Sequence, residues 1–260
     1  MRIALITGAS SGLGRTFAGE IVKTERNIDG FWLIARREDR LKETAKNLPW
    51  PCHILPLDLT DPASFPKLKA ELTDAGVEVG ILINCAGFGK IGNYEKVSME
   101  ESNRMIDLNC KAAVDVTMTC LPFMKAGDRI LEICSTAAFQ PFQHLNVYAA
   151  SKAFLYSYWR ALRMELLPRG IVVTAVCPYW MKDTEFIAGA ESAYGPGERP
   201  AIRNFAFGVP SGKVASRAMR DSRAGLAVST PGFVCTIHRA FAKLLPKSVL
   251  LYIWELIRGL

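Results

Sequence analysis

Short apolar runs alternate with longer amphipathic segments along most of the chain. The apolar runs are rich in Ile, Val and Leu, and they predict strands near residues 2–6, 31–35, 52–57, 79–83, 129–134, 171–177 and 225–229. Segments whose apolar residues recur every three to four positions predict helices near 13–25, 37–47, 63–75, 99–124, 147–167 and 211–222. This alternation is typical of an α/β fold in which a doubly wound parallel sheet, here of seven strands, carries helices on both faces.

The polar and glycine-rich motifs of the chain follow directly after these predicted strands. They are Gly8–Gly14, Arg36, Asp58, Asn84–Gly87, Ser135 and Pro178. Open α/β sheets bind their ligands beyond the carboxyl ends of the strands. We therefore expect these residues to converge on one site at one edge of the sheet.

The first motif joins a buried strand to a helix through a glycine-rich turn. Gly8, Gly12 and Gly14 allow the backbone to turn tightly and to approach a pyrophosphate, which would lie against the N-terminus of the following helix. Their spacing departs from the standard dinucleotide motif G-x-G-x-x-G. An ordinary strand-to-helix turn is the alternative.

A tyrosine and a lysine, Tyr148 and Lys152, are separated by one predicted helical turn. Residues i and i+4 share a helix face, so the Lys152 ammonium is expected to lower the pKa of the Tyr148 phenol from its usual value of about 10. A phenol with a lowered pKa can exchange a proton near neutral pH. Taken alone, the pair would also fit a solvated helix face.

Taken together, the motifs resemble the classical short-chain dehydrogenase/reductase family over about residues 1–230, and within it a carbonyl- or hydroxysteroid-reductase-like member. The features that carry the resemblance are, in chain order, T-G-x-x-x-G-x-G at Thr7–Gly14, N-x-A-G at Asn84–Gly87, Asn109, Ser135 and the Tyr148/Lys152 pair. The resemblance implies hydride transfer between a nicotinamide cofactor and a carbonyl or alcohol carbon.

The resemblance also implies a role for each catalytic residue. Tyr148 would exchange the hydroxyl proton, Ser135 would hydrogen-bond the substrate oxygen, and Lys152 would hold the nicotinamide ribose. Asn109 would anchor a water that passes protons to Lys152. For Asn109 the alternative is a polar residue that kinks its helix through local hydrogen bonds.

Charge at the end of the second predicted strand favours NADP(H) over NAD. Ala35 stands where an acidic residue would bind the ribose 2′-hydroxyl of NAD, and Arg36 and Arg37 follow it and can bind a 2′-phosphate. The alternative is that both arginines merely begin a charged surface helix. Asp58 resembles the adenine contact of the family, although a helix-capping Asp would look the same.

The predicted cofactor contacts come from several of these strand ends and from the Tyr148/Lys152 pair. They are Gly8, Ser10, Ser11, Gly12, Leu13, Gly14, Arg36, Arg37, Asp58, Leu59, Asn84, Ala86, Gly87, Tyr148, Lys152, Pro178, Met181 and Thr184.

The segment after the sixth predicted strand departs from the family pattern. Members usually have Pro-Gly and a Thr five residues beyond the Pro, whereas here Tyr179 follows Pro178 and Thr184 comes one residue late. This puts the contacts of Met181 and Thr184 in doubt. It also brings Tyr179 or Trp180 towards the substrate or the nicotinamide.

Two aromatic-rich segments predict an apolar substrate pocket, which favours a steroid-like or acyl ketone or alcohol as substrate. One segment lies between Ser135 and Tyr148, and the other is a predicted lid within residues 181–210. The predicted lining residues are Phe139, Phe142, Leu145, Phe186, Ile187, Tyr194, Phe205 and Phe207. The alternative is that these side chains pack the lid against the body of the protein.

Composition is consistent with one domain of 260 residues that binds no metal. It would comprise a core over residues 1–230, the lid and a helical tail over 231–260. The seven cysteines lack C-x-x-C spacing, and no basic segment with an apolar core precedes the first strand. We therefore expect unpaired cysteines and a cytoplasmic protein.

Positive charge is concentrated at the end of the chain. Residues 199–260 hold ten Lys and Arg against Asp221 and Glu255, whereas the net charge of the whole chain is +7. Within the tail, apolar residues recur at helical spacing among basic ones, which fits contact with an anionic membrane surface, packing on the body or pairing of subunits. Relatives of this family lead us to expect a homodimer or homotetramer.

Three other functions are weighed against an enzyme of this family. Nucleic-acid binding is excluded because the basic residues accompany no recognition motif. A sugar-nucleotide epimerase or dehydratase would need an additional substrate domain. An NADP-binding regulatory protein with little turnover would have no need of the Ser135, Tyr148 and Lys152 set.

Overall fold

The computed structural model describes residues 1–259 as a parallel sheet with helices on both faces. The seven strands lie in the order β3-β2-β1-β4-β5-β6-β7, and every pair is parallel. Their bounds are β1 Arg2–Thr7, β2 Gly30–Ala35, β3 Cys52–Pro56, β4 Glu78–Asn84, β5 Arg129–Ile133, β6 Val172–Val176 and β7 Val228–Ser229. The predicted doubly wound α/β fold is confirmed.

The α-helices within residues 1–259 alternate with the strands up to β7, after which two further helices form the tail. Their bounds are α1 Gly12–Thr24, α2 Glu38–Lys46, α3 Ser64–Asp74, α4 Met99–Ile106, α5 Ala112–Cys120, α6 Asn146–Leu166, α7 Phe186–Glu191, α8 Ser211–Arg223, α9 Phe233–Leu244 and α10 Lys247–Ile257. Two predictions of local structure need correction. The single helix expected over 99–124 is interrupted by a π-turn at Asp107–Lys111, and the last strand is shorter than expected.

The central strands are apolar on both faces because both faces are covered by helices. In β1, Ile3 to Ile6 are fully buried. Ile3 and Leu5 pack towards α3, α5 and α6, whereas Ala4 and Ile6 pack towards α1, α2 and α8. The alternation of side chains along a strand produces this division.

The strand order reverses at β1, whose neighbours are β2 and β4. Such a reversal opens a crevice at the carboxyl ends of the strands, where α/β proteins bind ligands. The Thr7 hydroxyl accepts hydrogen bonds from the backbone N–H groups of Cys85 and Ala86 at 3.0 and 3.1 Å. These bonds tie the end of β1 to the end of β4 and so fix the crevice.

The tail forms part of a third apolar cluster beyond the sheet edge. Trp254 of α10 is buried in this cluster with Phe142, Leu145 and Tyr148. Among residues 1–259, none of the helices combines the length and the hydropathy that crossing a bilayer would require.

Candidate active site

A cavity of about 950 Å³ extends along the carboxyl edge of the sheet. The glycine turn, Arg36 and Asp58 line one end, and side chains of the lid and the tail line the other. Tyr148 and Ser135 also lie in the cavity wall. The strand ends therefore converge on one site, as the order of the motifs predicts.

The glycine turn leaves room only for backbone. A Cβ added to Gly14 would lie 2.3 Å from the carbonyl oxygen of Gly8, and one added to Gly8 would lie 2.9 Å from the Ala86 nitrogen. Gly8 and Gly12 have positive φ values of 68° and 49°, which glycine adopts readily. The turn leads directly into the N-terminus of α1. This cradle therefore suits the pyrophosphate of a dinucleotide.

The two arginines after β2 differ in their surroundings. Arg37 donates hydrogen bonds to the hydroxyls of Ser10 and Ser11 at 3.4 and 3.1 Å, and its guanidinium pairs with Glu185 at 3.2 Å. Arg37 therefore links the glycine turn to the lid. Arg36 lines the cavity beside Asp58 and contributes to lowering the pKa of the Asp58 carboxyl.

Asp58 forms a local turn and also lines the cavity. One carboxylate oxygen accepts hydrogen bonds from the backbone N–H and the hydroxyl of Thr60 at 2.9 and 2.7 Å. The helix-capping alternative does not hold, since α3 begins at Ser64 with Ala63 as its N-cap. Leu59, Ala86 and the other predicted cofactor contacts except Asn84 lie in the same wall.

The catalytic side chains expected from the motifs meet near the middle of the sheet edge. Tyr148 and Lys152 are buried on α6, with 7% and 5% of their surface exposed. The Lys152 ammonium lies 5.8 Å from the centre of the Tyr148 ring and donates a hydrogen bond to the carbonyl of Ile133 at 2.6 Å. Ser135 follows β5, and its hydroxyl accepts a hydrogen bond from the backbone N–H of Ala137 at 3.1 Å.

The expected lowering of the Tyr148 pKa needs correction. Burial raises the pKa of the phenol above its usual value, and the Lys152 ammonium and the neighbouring Ser135 hydroxyl oppose this only in part. For Lys152 itself, burial would lower the pKa, but the phenol of Tyr148 and the carboxyl of Glu132 raise it on balance. The cationic Lys152 therefore limits the cost of ionising Tyr148, as a proton-transferring phenol requires.

Comparison with known proteins identifies the family. The family model described as short chain dehydrogenase matches residues 2–194. The chain belongs to the short-chain dehydrogenases. It is 37% identical to sulfoacetaldehyde reductase 2 of Chromohalobacter salexigens over 193 residues, which is 71% of this chain and 74% of that protein.

Two other similar proteins use or bind NADP(H). An NADP-dependent 3-hydroxy acid dehydrogenase of Escherichia coli is 33% identical over 187 residues, 71% of this chain and 74% of its own length. The structure of a short-chain dehydrogenase of Sphingobium yanoikuyae in complex with NADPH superposes with a TM-score of 0.75 at 26% identity and covers 94% of each chain. The protein is therefore an oxidoreductase of this family.

Two asparagines of this short-chain dehydrogenase lie behind the cavity wall. The Asn109 amide, in the π-turn, donates to the Phe88 carbonyl at 2.9 Å and to the Ser151 hydroxyl at 3.0 Å, and its oxygen accepts from the Phe88 N–H at 3.0 Å. Because Phe88 and Ser151 lie 21 and 42 residues away in the sequence, these are not the local bonds of the helix-kinking alternative, and the water-anchoring role of Asn109 stays a prediction. Asn84 departs from its predicted cofactor contact, because it is buried against α5 and donates to the Thr117 hydroxyl at 2.7 Å.

A buried glutamate beside Asn84, outside the cavity lining, is not indicated by the motifs. Glu132 of β5 is the register partner of Asn84 and has 2% of its surface exposed. Within residues 1–259, Glu132 Oε2 and Asn84 Oδ1 are buried and lack a hydrogen-bond partner. Burial raises the pKa of Glu132 to about 8, although Lys152 opposes the shift. Only its position within a strand of apolar residues could have drawn attention to it.

Glu132→Gln is expected to stabilise the protein increasingly as pH rises. An unfolded chain ionises this carboxyl above about pH 4.3, whereas the folded chain keeps the proton until about pH 8. The contribution of Glu132 to the free energy of unfolding therefore falls as pH rises across this interval. The advantage of the glutamine variant should grow to the order of a few kcal/mol at about pH 9 relative to about pH 5. Thermal unfolding of both proteins at each pH measures this difference.

Glu78→Gln provides the control for this titration. The pKa of Glu78 is lowered by Lys125 and Arg2 although partial burial opposes them, so its stabilising effect is already complete above about pH 4.5. The difference between this variant and wild type should stay constant from about pH 5 to 9. A constant difference for Glu132→Gln as well would show that Glu132 does not change its charge in that interval.

The segment after β6 keeps its place in the site despite its departure from the family pattern. Tyr179, Trp180, Met181 and Thr184 all line the cavity. The Thr184 side chain lies against the glycine turn, since a Cβ on Gly12 would meet it at 3.4 Å. The extra residue therefore lengthens the loop without removing Thr184 from the cofactor end.

The substrate end differs from the predicted pocket. Phe142, Leu145 and Phe186 line the cavity, together with Val234, His238, Phe241, Leu245, Leu250, Ile253, Trp254 and Ile257 of the tail. The predicted lining by Phe139, Ile187, Tyr194, Phe205 and Phe207 is wrong. Phe205, for example, packs edge-on against Trp180 at 5.0 Å between ring centres, which is the packing alternative for the lid.

Proposed function

We propose that this protein is an NADP(H)-dependent reductase of bulky apolar ketones, a carbonyl- or hydroxysteroid-reductase-like member of its family. One observation carries the proposal: the Tyr148 and Ser135 hydroxyls lie in the wall of a cavity whose far end is almost wholly apolar. Leu145, Phe186 and Trp254 are examples of that lining. An apolar pocket with a few hydroxyl groups favours an apolar substrate held by one carbonyl oxygen.

The residues present fit NADP(H) at the other end of the cavity. The glycine turn would hold the pyrophosphate, and the guanidinium of Arg36 would pair with the 2′-phosphate. Met181 and Thr184 line the cavity between this end and the substrate end along the loop after β6. When bound, the cofactor supplies or accepts the hydride at its nicotinamide ring.

Side chains of the protein transfer the proton and stabilise the negative charge that develops on the substrate oxygen. The Ser135 hydroxyl donates a hydrogen bond to the carbonyl oxygen, and Tyr148 delivers a proton to that oxygen as hydride reaches the carbon. The product is a secondary alcohol and a tyrosinate. Lys152 stabilises the tyrosinate by its charge, and the tyrosinate takes up a proton from solvent before the next turnover. The reverse sequence oxidises the alcohol.

A panel of ketones tests this proposal. NADPH consumption with steroid-like and long acyl ketones should exceed that with small anionic carbonyl compounds by at least about tenfold in kcat/KM, since only the former fill the apolar end. Trp254→Ala should reduce this preference. Preference for small anionic substrates would overturn the apolar assignment. Tight NADPH binding without turnover of any carbonyl would favour the regulatory alternative.

Small anionic substrates find little support at this end of the cavity. Lys90, a cation in the lining, already pairs with Glu101 at 2.8 Å. Burial lowers the pKa of His238 to about 4, so this ring is neutral near pH 7.

Assembly as a dimer or tetramer and a cytoplasmic location stay predictions from the sequence.

Arg36→Ala is expected to weaken NADPH binding by about tenfold to a hundredfold and to leave NADH binding nearly unchanged. The loss corresponds to the roughly 1.5–3 kcal/mol of a hydrogen bond to a charged group. Fluorescence titration with both cofactors measures it. Arg40→Ala in the following helix, α2, is the control, since Arg40 lies outside the cavity lining. Equal loss for both cofactors would contradict the 2′-phosphate assignment.

A further inference from the structure

Apolar side chains are exposed on the outward faces of both tail helices. On α9, Phe233 and Leu244 have 78% and 80% of their surface exposed, and on α10 Tyr252 and Leu256 have 76% each. Monomeric proteins rarely leave a contiguous apolar surface of this kind uncovered. The faces of α9 and α10 therefore indicate a binding surface.

Helical spacing makes each of these faces continuous. Phe233, Ile237, Phe241 and Leu244 follow one another at intervals of four, four and three residues, which places them on one side of α9. The exposed residues of α10 form an equivalent face. They are Val249, Tyr252, Ile253, Leu256 and Ile257.

The opposite sides of the same helices hold the tail against the body. Trp254 Nε1 donates to the Gln143 carbonyl at 3.1 Å, and the Gln143 amide donates to the Leu251 carbonyl at 3.1 Å. His238 shares a hydrogen bond of 2.8 Å with Gln140. Because these contacts anchor the inner side, the exposed face is a fixed surface of the folded protein.

This surface meets the mouth of the cavity. Phe241, Ile253 and Ile257 line the cavity and are also exposed, with 53%, 42% and 39% of their surface open to solvent. An apolar path therefore leads from the outer face of both helices into the substrate end. A second protein subunit on this face would cover that mouth, whereas a fluid lipid layer would not.

Positive charges accompany the apolar faces. Lys243 and Lys247 are exposed near the end of α9 and at the start of α10, and within residues 1–259 no carboxylate forms an ion pair with them. The only acidic residue of the tail, Glu255, pairs with Arg258 instead. Cations beside an exposed apolar helix face suit the phosphate groups and acyl chains of an anionic membrane surface.

We propose that α9 and α10 lie in the surface of an anionic membrane and take an apolar ketone from it directly into the cavity. The exposed faces would enter the acyl region, and Lys243 and Lys247 would meet the lipid phosphates. The part concerning the ketone rests on the proposed function. Attachment to the surface stands on the exposed faces and their charges alone.

Vesicle binding of the full chain tests the attachment without any substrate. Wild type should bind vesicles of phosphatidylcholine with phosphatidylglycerol at least about tenfold more tightly than vesicles of phosphatidylcholine alone, and added salt should reduce the difference. The double variant Leu244→Ser/Leu256→Ser should lose at least about tenfold in affinity. Lys243→Gln/Lys247→Gln should lose only the preference for the anionic lipid.

Matched controls separate attachment from general damage. Met99→Ser/Met164→Ser removes two exposed apolar side chains elsewhere, with 81% and 63% of their surface open, and should bind vesicles like wild type. All variants should keep wild-type melting temperatures and NADPH affinity. Absence of wild-type binding to anionic vesicles would overturn the proposal. So would a wild-type dimer, seen by sedimentation, that Leu244→Ser/Leu256→Ser converts to monomer.

Delivery of the substrate requires a second readout. Turnover of a vesicle-dissolved apolar ketone should rise for wild type when anionic vesicles replace neutral ones, and this gain should vanish in Leu244→Ser/Leu256→Ser. Vesicle binding without turnover of any ketone would refute the proposed reaction and leave the attachment intact. Turnover of dispersed ketone without vesicle binding would do the reverse.

Discussion

Tyr148→Phe is expected to lower kcat for ketone reduction by at least about a hundredfold, because a phenylalanine has no proton to give to the carbonyl oxygen. NADPH binding should stay within about threefold of wild type, since the ring remains in the apolar cluster with Phe142 and Leu145. Stopped-flow or steady-state loss of NADPH absorbance measures kcat, and fluorescence titration measures binding.

Tyr179→Phe is the matched control for this loss. Tyr179 also lines the cavity, and burial raises the pKa of its phenol, so it is the other tyrosine that could serve as proton donor. We expect the Tyr179 variant to keep at least about a third of wild-type kcat. If it were the inactive variant and Tyr148→Phe kept its activity, the catalytic assignment would pass from α6 to the loop after β6.

The protonation of Tyr148 depends on burial more than its place on the helix suggests. One helical turn brings Lys152 to the same face, but its ammonium is directed to the Ile133 carbonyl and lies 5.8 Å from the phenol ring centre. Burial withdraws water from the phenol and raises its pKa. The geometry therefore supports a Tyr148 phenol that is neutral at rest and gives its proton to the substrate oxygen during the reaction. It does not support a tyrosinate in the resting protein.

Gly14→Ala is expected to disrupt the glycine turn. The added methyl group would lie 2.3 Å from the Gly8 carbonyl oxygen, so the backbone of α1 must move away from the turn. We expect a loss of at least about 2 kcal/mol in the free energy of unfolding, as for an overpacked site, and at least tenfold weaker NADPH binding. Chemical denaturation and fluorescence titration measure the two effects.

Gly19→Ala in the same helix should have the opposite effect. A Cβ on Gly19 would meet no atom within 4 Å, so alanine adds only its better helix propensity. A gain of up to about 1 kcal/mol in the free energy of unfolding is expected, with unchanged NADPH binding. Equal stabilisation by both alanines would show that the close approach at Gly14 is not required.

The sequence by itself determined the succession of strands and helices along the chain and the edge of the sheet at which the motif residues meet. Strands buried on both faces read as apolar runs, and their ends carry Gly8, Ser135 and Pro178, so local pattern and motif position were enough. Helix periodicity likewise placed Tyr148 and Lys152 on one face. These features depend on neighbours within a few residues along the chain.

The tertiary structure alone decided the features that depend on contacts distant in sequence. Asn84 binds Thr117 of α5 and so leaves the cofactor wall, and Glu132 becomes a buried acid only because strand register sets it beside Asn84. The tail likewise closes the substrate end because Trp254 reaches Gln143, more than a hundred residues earlier. Helical spacing describes an apolar face but does not specify what covers it, since that choice is made by packing between distant segments.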